Sequence, residues 1–322
     1  MASVAIMKSY DQIGRKEDVA DIITNISPTL TPFQTMIGSE SIHNIIHSWQ
    51  EDSLIAAGVN AQVEGATAPS AVQNPTVLRT GTTQILSKTA NVSGTADVVK
   101  TYGRDKELAY QLMLRSKELK RDFEYALVGV NQAQVTGTDA TARQFASYLA
   151  QLDTSTTDGL SAYYYMGATN GYNSGPLGGT SGSAATISET SVTTVAEQLY
   201  ANGVEASTLM VKPTDALNIA QWQANLGTNS RTRFVDNGDR DIVNVVDVYV
   251  SAYGRLKVVM NRFSLTTAAF VFDPAFWKKL VLRNWFRQTL AKTGDSEQVQ
   301  ILGEFGLKHK NYAASGAIVN IL

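Results

Sequence analysis

The most regular hydrophobic pattern of the chain lies between about residues 103 and 134. Six apolar residues recur there at steps of three, four or seven positions, which places them on one stripe of an α-helix. They are Leu108, Leu112, Leu119, Phe123, Leu127 and Val130. No proline interrupts the segment. We therefore predict a helix roughly 48 Å long, at about 1.5 Å per residue, which suits a brace for a large structure better than the wall of a pocket.

Charged residues on the other faces of this helix are spaced for ion pairs. The pairs at i,i+3 or i,i+4 are Arg115–Glu118, Glu118–Arg121 and Lys120–Glu124. Each such pair stabilises an exposed helix by about 0.2–0.5 kcal/mol. We expect all three to support the helix from its solvent side.

The first fifty residues carry few long-range signals. Residues 16–23 favour a short helix, and Pro28 and Pro32 stop it because each proline pushes its preceding residue into extended geometry. Residues 41–49 have the pattern of an extended strand. A segment so rich in turns and so poor in core residues needs another surface to lie on, and we interpret residues 1–50 as an arm.

Residues 51–87 predict an extended hairpin, because they are small and polar at their centre. We expect its two arms at residues 59–63 and 77–86. Turn-forming residues stand between them: Gly65, Pro69 and Pro75. The segment has too few apolar residues for a core of its own, so we expect it to project or to pack on a neighbouring chain.

The rest of the chain predicts strands and shorter helices. We expect a strand at residues 88–99, a short helix at 141–152, and long loops at 153–191, where Gly, Ser, Thr and Tyr dominate. The later predicted elements are a helix capped by Thr190 or Ser191, a strand at 208–211, a helix from Pro213, a hairpin at 243–250 and 255–261, and strands at 269–272, 277–285 and 298–322.

Composition excludes several classes of function. The chain has 322 residues, of which 27 are basic and 29 acidic, and this balance does not fit a protein that grips a nucleic-acid backbone. The absence of cysteine excludes disulfides, thiolate catalysis and cysteine-type metal sites. We find neither a run of 18 apolar residues nor a signal-peptide pattern. We expect a soluble intracellular protein that contacts no membrane.

One set of residues has the spacing of a metal site. His43, His47 and Glu51 stand four residues apart, as two zinc ligands do on a helix. Their surroundings favour an extended chain, in which residues four apart are separated by about 13 Å. The glutamate that follows the first histidine in zinc proteases is replaced by Asn44. We therefore expect no metal here.

The other candidates for chemistry are weaker. His309 has no nucleophile and acid placed around it to complete a triad. Residues 236–241 are acidic but lack the spacing of a calcium loop, and residues 178–182 lack the lysine of a phosphate loop. Asp153 and Asp158 could form the carboxylate pair of a glycosidase. Taken together, the residues predict no catalytic, cofactor-binding or metal-binding site.

A series of short motifs, in order along nearly the whole chain, resembles one known family. The motifs are Ile26–Phe33, Met36–Gly38, His47–Leu54, Val63–Ala66, Gln84–Ile85, Val92–Thr95, Gly103–Arg104, Lys117–Asp122, Val246–Tyr249, Val258–Phe263 and Asp273–Pro274. No single motif is diagnostic, but their joint order is similar to that of tailed-bacteriophage major capsid proteins, which share the Hong Kong 97-like capsid fold.

The resemblance implies an α+β fold and a division of the chain into five parts. These are an N-terminal arm (1–50), an extended loop hairpin (51–90), a peripheral domain (91–145) with a spine helix at about 103–134, an axial domain (146–282), and strands that return to the peripheral domain (283–322). In this family the extended loop lies over an adjacent subunit. An apolar-poor hairpin and a loose arm are then explained by contacts between molecules.

The resemblance also implies a structural function without enzymatic activity. We expect hexamers and pentamers of an icosahedral shell around double-stranded DNA, assembled in the host cytoplasm with a portal and possible decoration proteins. A separate scaffolding protein is expected, because the family-like pattern begins near residue 17. No isopeptide link from the extended loop is expected, because no lysine occurs from Glu51 to Ser87.

Three alternatives stay open on the sequence. An encapsulin, a bacterial shell around protein cargo, shares the fold and differs by a groove for cargo peptides. A virion-associated carbohydrate-active enzyme would use Asp153 and Asp158 about 5–9 Å apart. A tail-tube subunit would stack into rings instead of closing a shell.

Overall fold

The computed structural model of the protein describes most of the chain. The described residues are 29–52, 54–55, 57–70, 73–101, 105–152, 164–166, 186–222, 248–292, 294–319 and 321–322. Several predicted features lie outside these ranges: the helix at 16–23, the loop at 178–182, the acidic segment at 236–241, and the pair Asp153 and Asp158.

Within the described residues the chain forms helices and strands in a mixed order. The α-helices are α1 (Pro32–Met36), α2 (Gly94–Val98), α3 (Glu107–Glu124), α4 (Glu189–Ala201) and α5 (Pro213–Gln221). The strands are β1 (Gly38–Ser41), β2 (Ile46–Glu51), β3 (Val77–Thr82), β4 (Gln84–Ser93), β5 (Tyr164–Met166), β6 (Thr208–Val211), β7 (Val248–Ser251), β8 (Gly254–Met260), β9 (Ala268–Phe272), β10 (Trp277–Thr289), β11 (Ser296–His309) and β12 (Ser315–Val319). None of these helices is long and apolar enough to cross a lipid bilayer.

The strands make three sheets. A four-stranded sheet has the order β1-β10-β11-β4, a six-stranded sheet has the order β5-β12-β9-β6-β8-β7, and β2 pairs with β3 alone. β10 and β11 form a long antiparallel hairpin, in which Trp277 lies opposite His309 and Thr289 opposite Val299. Separate sheets with helices packed beside them make this an α+β fold, as the resemblance implied.

Two buried apolar clusters meet at the six-stranded sheet. The first is centred on aromatic side chains, among them Phe33, Tyr148 and Trp277. The second packs α4 and α5 against the sheet. Successive residues of β6 point to opposite faces, so Met210 enters the first cluster and Leu209 the second. The sheet is therefore buried on both faces, which explains why every residue of β6, β9 and β12 is buried.

The long helix is shorter than its apolar stripe predicted. Regular α-helix begins at Glu107 and passes at Tyr125 into a π-helical turn that ends at Gly129. Val130 is already extended, with φ of −133°. The predicted continuation to residue 134 is therefore wrong, although the stripe itself is partly confirmed, since Leu119, Phe123 and Leu127 are buried.

Backbone partners from outside the helix explain why it ends. The carbonyl of Leu127 accepts from Tyr148 N at 2.9 Å, and that of Val128 accepts from Leu265 N at 2.9 Å. Carbonyls used in this way are not available to donors of a next helical turn. The end of the helix is therefore set by tertiary contacts that no local pattern encodes.

Residues 141–152 do not form the predicted short helix. They run antiparallel to the residues that follow the π-helical turn, and Val135 and Gln144 exchange two backbone hydrogen bonds of 3.0 Å. Ser147 N also donates to Gln132 O at 2.9 Å. Only a 3-10 turn at Leu149–Gln151 is helical. Antiparallel pairing with residues 132–135 has overridden the preference for a helix.

The extended hairpin is present, but its first arm lies earlier than predicted. β2 pairs antiparallel with β3, and the last pair before the connecting loop is Glu51 opposite Val77. The predicted first arm at residues 59–63 is not a strand. It leads instead into a turn at Gly65, whose positive φ of 79° suits glycine. The spacer between the strands is thus longer than the sequence suggested.

The predicted strand at 88–99 and the predicted return strands also differ from the structure. β4 ends at Ser93, whose hydroxyl accepts from Ala96 N at 3.3 Å and so caps α2. β10 and β11 lie in the four-stranded sheet, whereas β12 pairs with β9 and β5 in the six-stranded sheet. Residues 283–322 therefore do not all join one sheet.

The elements after residue 186 follow the sequence more closely. The N-cap of α4 is Ser188, which forms a capping box with Ser191, so the predicted cap at Thr190 or Ser191 is wrong by two or three residues. Gly203 follows the end of α4 with φ of 85°. α5 has Pro213 as its first residue, as predicted. The strand at 208–211 is confirmed as β6. Local caps and turn residues are enough to set these boundaries.

Substitution of Gly129 tests the account of the helix end. A methyl group at Gly129 would collide with the carbonyl oxygen of Phe263 and the ring of Tyr125. We expect Gly129→Ala to lower the free energy of unfolding by about 1–3 kcal/mol, as overpacking does, in urea titrations of the unassembled chain. Gly58, around which nothing lies within 4 Å, is the matched control: Gly58→Ala should change little. Equal effects of the two substitutions would contradict the account.

Candidate assembly site

The carboxylate of Glu124 is fully buried and joins three distant parts of the chain. Its oxygens accept hydrogen bonds from Phe33 N at 2.7 Å, Gln34 N at 2.9 Å and Asn261 Nδ2 at 2.7 Å. Phe33 and Gln34 belong to the first turn of α1, Glu124 ends α3, and Asn261 follows β8. We call this arrangement the Glu124 clasp.

The local structure around each partner explains why it can bind the Glu124 carboxylate. Pro32 starts α1, and the N–H groups of Phe33 and Gln34 need an outside acceptor because the first turn of a helix has no carbonyl before it to accept from them. The backbone of Asn261 is held by Val211 O at 2.9 Å. Burial raises the pKa of the Glu124 carboxyl, and the hydrogen bonds from its partners oppose that rise. The clasp fixes the first turn of α1 to the end of α3 and to the residue after β8 in the same chain.

The predicted surface ion pair between Lys120 and Glu124 is wrong. Glu124 does not face Lys120, because its side chain is turned inward; the Lys120 carbonyl instead accepts from Gln34 Nε2 at 2.9 Å. The pair Arg115–Glu118 is confirmed at 2.7 Å. A signal for the burial of Glu124 was present in the sequence, since it is followed closely by the apolar residues Ala126, Leu127 and Val128, all of which are buried.

A second buried carboxylate, that of Glu304 on β11, binds three side chains. It accepts from Thr83 Oγ1 at 2.7 Å, Arg143 at 2.7 Å and Arg283 Nε at 2.9 Å. These partners come from the β3–β4 junction, the loop after α3, and β10. Two cations and a hydroxyl offset the cost of burying this charge. The four-stranded sheet is thereby tied to the base of the hairpin.

The base of the extended hairpin is held by a third buried carboxylate. Glu51 and Arg79 form an ion pair of 3.0 Å, and both side chains are almost inaccessible to solvent. Trp49 Nε1 also approaches Glu51, at 3.4 Å. His47 lies next to Lys308 and Glu40, and burial followed by the Lys308 charge lowers its pKa. His43 is exposed, and His43, His47 and Glu51 do not form a cluster that could hold a metal ion.

Beyond this base, every described residue between Asp52 and Leu78 is exposed. Leu54 and Val59 are each 99% exposed, and Val63 is 81% exposed. Burying one such side chain contributes about 1.5–3 kcal/mol. No described part of the same chain covers them. The loop is therefore a firmly anchored, partly apolar projection, which suits a contact between molecules.

A histidine and a serine do meet inside the protein, but not as an active site. His309 Nε2 lies 3.0 Å from Ser315 Oγ, which accepts from Trp277 Nε1 at 2.9 Å. The rings of His309 and Trp277 stack at 4.1 Å. All three side chains are buried, and His309 Nδ1 has no hydrogen-bond partner. A substrate cannot reach the serine hydroxyl, and no carboxylate orients the imidazole.

The described residues bring no other chemistry together. Among them, no group of three or more acidic or histidine side chains could hold a metal ion. What the geometry offers is a rigid body, secured by three buried carboxylates, and an exposed loop anchored to it.

The sequence profile of the family described as "SU10 major capsid protein" matches residues 6–322. The chain belongs to this SU10 major capsid protein family. It is also 35% identical over 348 residues to the "Major capsid protein" of Escherichia phage Phieco32, covering 99% of this chain and 97% of that protein. This major capsid protein is thus a structural component of a phage virion.

Solved capsids share the fold of this major capsid protein. The cyanophage A-1(L) capsid subunit aligns with a TM-score of 0.69 over 98% of both chains at 10% identity. A subunit described as the capsid of a native GTA particle aligns with a TM-score of 0.62 over 95% of both chains at 9% identity. These likenesses confirm the Hong Kong 97-like architecture expected from the motifs.

Replacing Glu124 tests the clasp. Glu124→Gln keeps the shape but turns one acceptor into a donor that faces N–H groups. We expect the free energy of unfolding to fall by about 1–3 kcal/mol, the cost of buried unsatisfied groups, in urea titrations of the unassembled chain. The matched control is Glu197→Gln on the exposed face of α4, expected within about 0.5 kcal/mol of the wild type. A loss no larger than the control's would contradict the clasp.

Buried His309 predicts a specific pH dependence. Burial lowers the pKa of His309 from 6.5 to about 3. As pH drops from 6.5 towards 3, His309 is therefore protonated in the unfolded chain but not in the folded one, and the free energy of unfolding falls. Relative to His309→Phe, which keeps a stacked ring but cannot titrate, the wild type should lose about 2 kcal/mol of unfolding free energy between pH 6.5 and 4.5. Exposed His43→Phe is the control. A wild-type-to-variant difference that is independent of pH would contradict the prediction.

Proposed function

We propose that this chain forms hexamers and pentamers that close an icosahedral shell around double-stranded DNA. The observation that carries the proposal is the extended loop: exposed apolar side chains on a segment whose base is fixed by the buried Glu51–Arg79 pair. Such a segment gains stability only when another molecule covers it. An icosahedral shell supplies a neighbour to every copy.

The proposed parts of the subunit follow the same logic. Residues 1–50 are the N-terminal arm, 51–90 the extended loop, and 91–145 with α3 the core of a peripheral domain around the four-stranded sheet. Residues 146–282 with the six-stranded sheet form most of the axial domain, which we place at the centre of each capsomer. β12 is assigned to the axial side, because it pairs with β9.

The proposed partners are other copies of the chain, a separate scaffolding protein and a portal, with assembly in the host cytoplasm. Decoration proteins are an optional addition to such a shell. We propose no enzymatic role, because the one serine–histidine contact in the described residues is sealed from solvent. The near-neutral charge supports enclosure of DNA without tight binding.

Replacing the loop tests this function. Residues 54–70 contribute nothing to the described core, so a short Gly-Ser linker in their place should leave thermal unfolding unchanged but abolish closed shells, as judged by light scattering and negative-stain electron microscopy. The wild type, expressed with the other particle proteins, should form shells with five- and six-fold capsomers. The linker variant forming normal shells would overturn the role of the loop.

The wild-type sample also separates the alternatives. Stacked rings would indicate a tail tube, and uniform shells filled with protein cargo would indicate an encapsulin. A stable monomer under every condition would favour the carbohydrate-active enzyme and redirect attention to Asp153 and Asp158. Uniform native-size shells from the chain alone would argue against a separate scaffold.

A further inference from the structure

One face of the four-stranded sheet, the face on which α3 packs, carries cations of β10. Residues that lie opposite each other in neighbouring strands point to the same face of a sheet. Arg287 lies opposite Ile301, which in turn lies opposite Lys88. Lys88 binds two acids of α3, Glu118 at 3.1 Å and Asp122 at 2.8 Å. Arg287 is therefore on the α3 side of the sheet.

Lys279, another residue of β10, lies on the same side of the sheet. Its ammonium group is 5.9 Å from the centre of the Phe305 ring, and that ring packs on Phe123 of α3 with 5.2 Å between the ring centres. Burial, followed by the nearby charge of Lys120, lowers the pKa of Lys279. The fold thus holds two lysines close together, an arrangement that favours the binding of an anion between them.

Four cations of this side have no acidic partner among the residues that the structure describes. Lys117 and Lys120 are exposed on α3, Arg287 is exposed on β10, and Lys279 is half-buried. The nearest acids of α3 are already bound to Lys88 and to an arginine of the same helix. We call Lys117, Lys120, Lys279 and Arg287 the cationic face.

The opposite face of the same sheet is closer to electrostatic balance. There the carboxylate of Glu304 binds both Arg143 at 2.7 Å and Arg283 at 2.9 Å. Lys278 points to that face, because neighbouring residues of a strand alternate, and it is the exception without an ion pair in the described part of the chain. Of the two faces, the one under α3 therefore has the larger unpaired positive charge.

We propose that the cationic face lines the inside of the shell and contacts phosphate groups of the packaged double-stranded DNA. The inference rests on the proposed function, which places DNA inside the shell. Lysine binds phosphate as a point charge. Lys279 and Arg287 are eight residues apart on one strand, roughly 25 Å at about 3.3 Å per residue, and a row of this length suits an extended polyanion. Four cations per copy make a weak contact, in keeping with the near-neutral charge of the whole chain.

Binding of a short DNA duplex to the unassembled full chain, followed by fluorescence anisotropy at about 50 mM salt, tests the contact. Replacing Lys117, Lys120 and Lys279 by glutamine should weaken binding at least about tenfold. The slope of log K against log salt should become shallower by about 2.7, because each lost phosphate contact contributes about 0.9. The matched control removes the same charge at exposed positions elsewhere: Arg255→Gln, Lys257→Gln and Lys292→Gln.

A second variant keeps this test valid if the loss of half-buried Lys279 disturbs folding, which thermal unfolding checks. Lys117→Gln with Lys120→Gln changes only exposed side chains and should reduce the slope by about 1.8. Equal losses in the cationic-face and control variants would overturn the proposal. Tighter binding of polyglutamate than of the duplex, at equal charge and salt, would overturn it in favour of an acidic protein partner.

Lysine acetylation of assembled particles separates this inference from the proposed function. In DNA-filled particles Lys117 and Lys120 should react at least about fivefold less than in particles emptied of DNA, whereas exposed Lys257 should react equally in both. Equal reactivity of Lys117 and Lys120 in filled and emptied shells would overturn the DNA contact and leave the shell itself standing. Failure to obtain closed, DNA-containing shells would instead overturn the proposed function.

Discussion

The buried carboxylate of Glu124 is the constraint on which the rest of the subunit depends. Its partners at Phe33 and Asn261 lie 91 and 137 residues away along the chain. A charge in a dry interior is costly unless several donors surround it. The fold meets this condition only when α1, α3 and the end of β8 converge. The same convergence encloses Phe33 among Tyr148, Phe272 and Trp277.

The subunit consists of a body stabilised by internal contacts and a loop whose residues are exposed. Buried carboxylates at Glu124, Glu304 and Glu51 each join segments that are distant in sequence. In the loop that leaves Glu51, every described residue from Leu54 to Leu78 is exposed. A body that keeps its shape, and a projection that is stable only against another molecule, are what a subunit of a large shell needs. Many distributed contacts then replace one strong site.

Sequence patterns were sufficient where boundaries are set locally. The glycine after α4 and Pro213 at the start of α5 marked those boundaries correctly, whereas the N-cap of α4 is Ser188 and not the predicted Thr190 or Ser191. Patterns failed where distant backbone groups compete, as at Leu127, whose carbonyl is used by Tyr148. The role of Glu124 could not be derived from spacing alone, because the same i,i+4 pattern with Lys120 also describes a surface pair. The overall architecture was predicted from the resemblance to a known family, because local residue patterns did not determine it.

The most direct test of the central claim is a cryo-electron microscopy reconstruction of the assembled particle, at a resolution that traces the main chain. The account predicts a closed icosahedral shell in which the loop from Asp52 to Thr76 lies on an adjacent subunit, and in which the Glu124 clasp is intact within each copy. A helical stack of rings, or a shell whose extended loops touch no neighbour, would contradict it.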